Sequence, residues 1–161
     1  MRRCSLCIAM LLAFTAGPLP LTADQRSGAG LPIRVRPGML AASISELAGQ
    51  EVTVPYARVV GVFNPRAFLV DTSTRMPPVI GHRARVLVLV ERGGLTVTPE
   101  MIVASTVTVA GVARTLLGVQ ASREVEWPTQ LTPETIEKLE VRAAVLARSV
   151  KTAEGVELAS R

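Results

Sequence analysis

Residues 52–71 read V-T-V-P-Y-A-R-V-V-G-V-F-N-P-R-A-F-L-V-D. Two runs rich in β-branched and aromatic residues flank Asn64-Pro65-Arg66, whose types favour a tight turn. The stretch therefore predicts a long strand over Val52–Phe63 and a returning strand over Ala67–Asp71, with Gly61 marking a bend or bulge. Downstream, residues 72–82 contain Pro77, Pro78 and Gly81 and are expected to be a loop. The run R-A-R-V-L-V-L-V-E at 83–91 is the clearest strand of the chain, and Ser105–Leu117 predicts another long one with Gly111 inside it. A last strand is expected from Val141 to Lys151. Thr98-Pro99-Glu100 and Thr132-Pro133-Glu134 are two helix starts, each with threonine as cap and proline in the first position. Ile136 and Leu139 give the second of these helices its buried face. Upstream, Asp24–Gly38 is rich in Gly, Ser, Pro and Arg and reads as a flexible lead-in. Leu40, Ile44 and Leu47 then place a short helix over Met39–Ala48, ended by Gly49.

Five strands with no regular β-α-β alternation predict an all-β protein with minor α content. The expected architecture is a five-stranded antiparallel barrel with short flanking helices, since closure removes exposed edges. On the segments 52–71, 85–90 (R-V-L-V-L-V) and 107–114 (V-T-V-A-G-V-A-R), the chain resembles the OB-fold, over roughly Gln50 to Val150. More narrowly, it is similar to small exported bacterial OB-fold proteins of mostly undefined role. The expected organisation is a signal peptide at 1–23, a lead-in with a short helix at 24–49, and a barrel domain at 50–157.

The N-terminus carries the compartment. Arg2 and Arg3 precede an apolar run from Cys4 to Gly17, then Pro18, Pro20 and the small-residue exit Leu21-Thr22-Ala23. That order is the pattern of a secretory signal, expected to be cut after Ala23 and to send the chain to the periplasm or outside the cell. An apolar run of this length is short for a membrane anchor, the competing reading. The only cysteines, Cys4 and Cys7, lie inside this segment, so the processed chain from Asp24 would have none. No disulfide would hold it, and its core must suffice, as 138 residues allow. Loss of Arg2 and Arg3 would also take two charges from the net +5. That mild excess is far from the clustered basic footprint of a dedicated nucleic-acid binder.

Catalytic chemistry finds no residue set. The expected mature chain has one histidine, His82, no cysteine, no G-x-S-x-G elbow and no phosphate loop after Gly93-Gly94. The expectation is a non-enzymatic binding module of the bacterial envelope, without cofactor or metal. It would hold an envelope protein, a polymer or a small ligand. Strand alternation puts Val86, Val88 and Val90 on one face and Arg83, Arg85 and Leu87 on the other. That second face, with Arg58 and Phe68, is where the OB-fold resemblance implies a ligand surface. The competing reading makes Arg83 and Arg85 solvated strand residues and Phe68 core. Two alternatives accompany the main expectation. Single-stranded nucleic acid would use a basic groove and stacking aromatics, of which only Tyr56, Phe63, Phe68 and Trp127 are on offer. A soft metal such as copper(I) would draw on Met76 and His82 in one loop and on Met101, although Met101 reads better as core. Trp127, before Pro128, is expected to plug the barrel end.

Overall fold

A computed structural model describes residues 31–72, 85–122 and 125–159. The expected signal peptide, most of the loop after Asp71, and with them Met76, His82 and Arg83, lie outside the described residues.

The decisive stretch forms β2 (Glu51–Asn64) and β3 (Ala67–Thr72), paired antiparallel around the Asn64-Pro65-Arg66 turn. In that turn the Asn64 side chain accepts the Arg66 N–H at 2.8 Å. Along β2 the buried positions run 52, 54, 57, 59. The step of three between Val54 and Ala57 is the signature of one extra residue, since side chains alternate faces with period two. The pairing with β5 (Thr106–Arg114) shifts register there, and Tyr56 takes φ +53° with its ring exposed.

The other elements are β1 (Ile33–Arg34), α1 (Pro37–Ala42), α2 (Ile44–Leu47), β4 (Arg85–Val90), α3 (Pro99–Ile102), α4 (Leu116–Ser122), α5 (Pro133–Lys138) and β6 (Val141–Thr152). The order β5-β2-β3-β4 places a fourth strand beside the first, as in a Greek key. Inserted between β4 and β5, β6 closes a five-strand barrel, compatible with an OB-like fold. The sheet is mixed rather than antiparallel throughout: β4 and β6 run parallel, and so do β1 and β2. In a closed ring of five strands the directions cannot all alternate, so one neighbouring pair must run parallel, and here that pair is β4 and β6.

Two apolar layers result. Inside the barrel pack Val52, Val54, Val59, Phe68, Val70, Val86, Val88, Val107, Val109 and Val145, with Leu40 of α1 fully buried among them. Outside, Leu69, Leu87, Leu89, Ala144 and Leu146 face a second cluster formed by Val119, Leu131 and Val141, with Trp127, Ile136 and Leu139 packed on it. Residues 116–122 and 125–140 therefore cover the outer face of β3, β4 and β6.

Both predicted helix starts form. Thr132 caps α5, its hydroxyl accepting the Thr135 N–H, while Pro133 begins the helix. The long strand expected over Ser105–Leu117 ends instead at Arg114. Thr115 Oγ1 accepts the Gly118 N–H at 3.1 Å and starts α4, a capping role that the apolar run hides. The lead-in also carries more order than its composition suggests, through β1 and through α1 and α2, which break at Ser43.

The C-terminal residues fold back as a hook, with Leu158 and Ala159 buried and Leu158 N–H donating to Val150 O at 2.7 Å. Glu157 fastens it, accepting from Ser149 Oγ at 2.6 Å and Val150 N–H at 2.7 Å. Partial burial pushes this carboxyl up. The bonds from Ser149, Val150 and Ala159 and the Lys151 charge outweigh it and hold the group below the usual carboxylate range. A carboxyl with a depressed pKa in the folded state adds stability above its unfolded value and loses it as pH falls through the folded one. The melting temperature of the wild type is thus expected to exceed that of Glu157→Gln at neutral pH, and the gap to close through the acid range. A gap independent of pH would show that the Glu157 charge does not fasten the hook.

Candidate functional site

Of the four residues expected to share a ligand face, the three that are described, Arg58, Phe68 and Arg85, occupy separate environments. Arg58 is exposed on the outer face of β2, paired in register with Thr106 on one side and Asp71 on the other. Phe68 is fully buried inside the barrel and presents no surface to any ligand. Arg85, half-buried at the start of β4, donates from Nη1 to Leu139 O at 3.3 Å, while its backbone N–H bonds Glu140 O. It ties the end of α5 to the barrel. Arg83 lies outside the described residues. The alternation along β4 is as expected, with Val86, Val88 and Val90 inside. The opposite face is not open, because Leu87 and Leu89 are sealed under Val119, Leu131 and the side chains packed with them.

The aromatics follow the same logic. Trp127 sits in the outer cluster rather than at a barrel end, its indole N–H donating to Leu131 O at 3.0 Å. Phe63 packs against that cluster too, which leaves Tyr56, 65% exposed at the bulge, as the free ring. Met101, expected as core, is 71% exposed on α3 because Ile102 takes the buried position. Among the described residues no group of three or more His, Cys, Asp or Glu side chains is placed to hold a metal ion.

An open concavity among the described residues lies elsewhere. A cleft of about 440 Å³ runs between β1 and the α1–α2 pair. Ile33, Val35, Met39 and Leu47 give it apolar walls; Arg34, Arg36, Ser43 and Glu46 supply its polar groups. Met39 is 64% exposed and Ile33 40%, so apolar surface faces solvent here. Neither arginine forms an ion pair among the described residues. The local cause is readable: Pro32 and Pro37 bracket I-R-V-R at 33–36, a period-two pattern that turns Val35 inward and both arginines out. Composition alone read this stretch as a flexible lead-in, and the alternation inside it was the missed signal.

Strand pairing singles out the same place. Among the described residues each barrel strand is paired on both sides, whereas β1 pairs with β2 alone. Val35 N–H donates to Thr53 O at 3.0 Å, so that by alternation the N–H groups of Arg34 and Arg36 face away from β2. Among the described residues these two N–H groups have no hydrogen-bond partner. No protein-family model, curated protein or solved structure matches the chain.

Proposed function

We propose that this chain is an exported, non-enzymatic binding module of the bacterial cell envelope, an OB-like barrel that holds a partner protein in the cleft between β1 and α1–α2. The observation that carries this reading is the coincidence of the open apolar cleft with the free strand edge. Exposed apolar surface beside unpaired backbone groups is a liability for an isolated chain, and a docking site when a partner covers it. The Greek-key order and single-barrel closure support the OB-like assignment. Export rests on the basic, apolar and small-residue order of 1–23.

Nucleic acid gains no support from the barrel surface. The outer face of β3 and β4, on which the OB-fold resemblance puts the ligand, is occupied by the chain's own Trp127, Val119 and Leu131.

Native mass spectrometry of the protein recovered from the envelope fraction of its host tests the proposal. The expected species begins at Asp24 and retains a protein partner, which Met39→Glu releases. An intact Met1 would overturn export. A bare chain, or a partner indifferent to Met39→Glu, would overturn the cleft as the binding site.

A further inference from the structure

Resting on the cleft as the binding site, we infer that its occupant is an extended acidic peptide segment of the partner, added as a strand to the free edge of β1. Three features converge. The N–H groups of Arg34 and Arg36 point outward two residues apart, about 7 Å along a strand, which is the repeat at which an added strand offers its carbonyls. The apolar walls Ile33, Met39 and Leu47 would receive the alternate side chains of that strand. Two guanidiniums stand against the single carboxylate of Glu46, so the cleft carries a net positive charge and favours carboxylates on the incoming chain. Pro32, which offers no N–H, and the start of α1 at Pro37 limit the addition to a few residues. The backbone stays extended up to Arg36, at φ −78° and ψ 152°, so both N–H groups keep strand geometry. A strand, unlike a lipid headgroup or a polymer of phosphates, uses these backbone groups as well as the charges.

The test is a titration of the isotopically labelled protein, recovered whole from its host, with the blocked peptide Glu-Val-Glu-Val-Glu-Val at low salt. Nuclear magnetic resonance follows the amides. The expected result is shifts at Ile33–Arg36, Met39 and Leu47, with slowed hydrogen exchange at the Arg34 and Arg36 N–H groups. Affinity should fall about tenfold or more in the Arg34→Glu, Arg36→Glu double variant and weaken as salt rises. The Lys-Val-Lys-Val-Lys-Val peptide should leave the cleft unmoved. Both arginines are exposed, so the double variant is expected to fold, which its unchanged spectrum elsewhere would verify. Binding without slowed exchange at Arg34 and Arg36 would overturn strand addition. So would equal binding of the lysine peptide, or tighter binding to phosphatidylglycerol vesicles than to the acidic peptide. A silent titration alongside a partner released by Met39→Glu would overturn the acidic strand alone and leave the binding module standing.

Discussion

Gly111→Ala is expected to destabilise the barrel by about 3 kcal/mol or more, at or beyond the upper end of ordinary overpacking. A Cβ at this position would collide with Leu146 O and lie 2.8 Å from the Ala147 Cα. Both are backbone atoms of β6, so no side-chain rotation relieves the contact. Either β5 and β6 part, or the seam shifts register, and each outcome breaks the ladder that closes the barrel. The approach is close where β6 bulges: Ala110 pairs with Ser149 but Gly111 with Ala147, leaving Arg148 extra. Arg148 then reaches Glu51 at 2.6 Å and Glu91 at 3.3 Å, exposed contacts worth little on their own. Set against a total stability of about 5–15 kcal/mol, the loss should appear as a large fall in melting temperature or as failure to accumulate. Gly61→Ala is the control, since a Cβ there meets nothing within 4 Å. It should stay within about 1 kcal/mol of wild type. Equal melting of Gly111→Ala and wild type would show that β5 and β6 do not meet in this register.

Those two glycines show how far the sequence can be read. Each sits inside a valine-rich strand, and the local pattern does not tell the two apart. Only the neighbouring strand separates them, and neighbours at long sequence distance are absent from a local pattern. The same limit explains the ligand face. Alternation correctly grouped Arg85 with Leu87, but it says which residues share a face, not whether another segment covers that face. A clue was nonetheless present. Strands buried on both sides lose their alternation and read as continuous apolar runs. Residues 67–70, 86–90 and 143–147 do so, while T-V-T-V at 106–109 alternates in sequence and the burial of β5 alternates along its whole length, leaving its outer face half-open. Read that way, the runs in β3, β4 and β6 ask for a cover, and Trp127, Leu131, Ile136 and Leu139 in the next connection supply it.

The parallel pairing of β4 with β6 follows from closure rather than from any local pattern: five strands joined in a ring cannot all alternate in direction, so one neighbouring pair must run parallel. The cleft is hidden for a different reason. Gly, Pro and Arg dominate the lead-in, and a short strand held by a few backbone bonds leaves little trace in composition.

Phe68→Ala carries the second large effect and separates the two readings of that residue. Phe68 heads the fully buried side chains by volume, and it lies among Val70, Val86 and Val88 within the barrel. Removing its ring leaves a cavity that rigid strands on all sides cannot collapse, at an expected cost of about 3–5 kcal/mol. Phe68→Leu, which refills much of the volume, should cost about 1–2 kcal/mol. A ligand-stacking aromatic would behave otherwise: its truncation would weaken binding and leave the melting temperature almost unmoved. Arg58 gives the comparison within the same expected set, being exposed and without an ion pair among the described residues. Its alanine variant should stay within about 0.5 kcal/mol of wild type. Chemical denaturation of the three variants measures the contrast directly. A Phe68→Ala protein as stable as wild type would place the ring outside the core, and the barrel as described would fail with it.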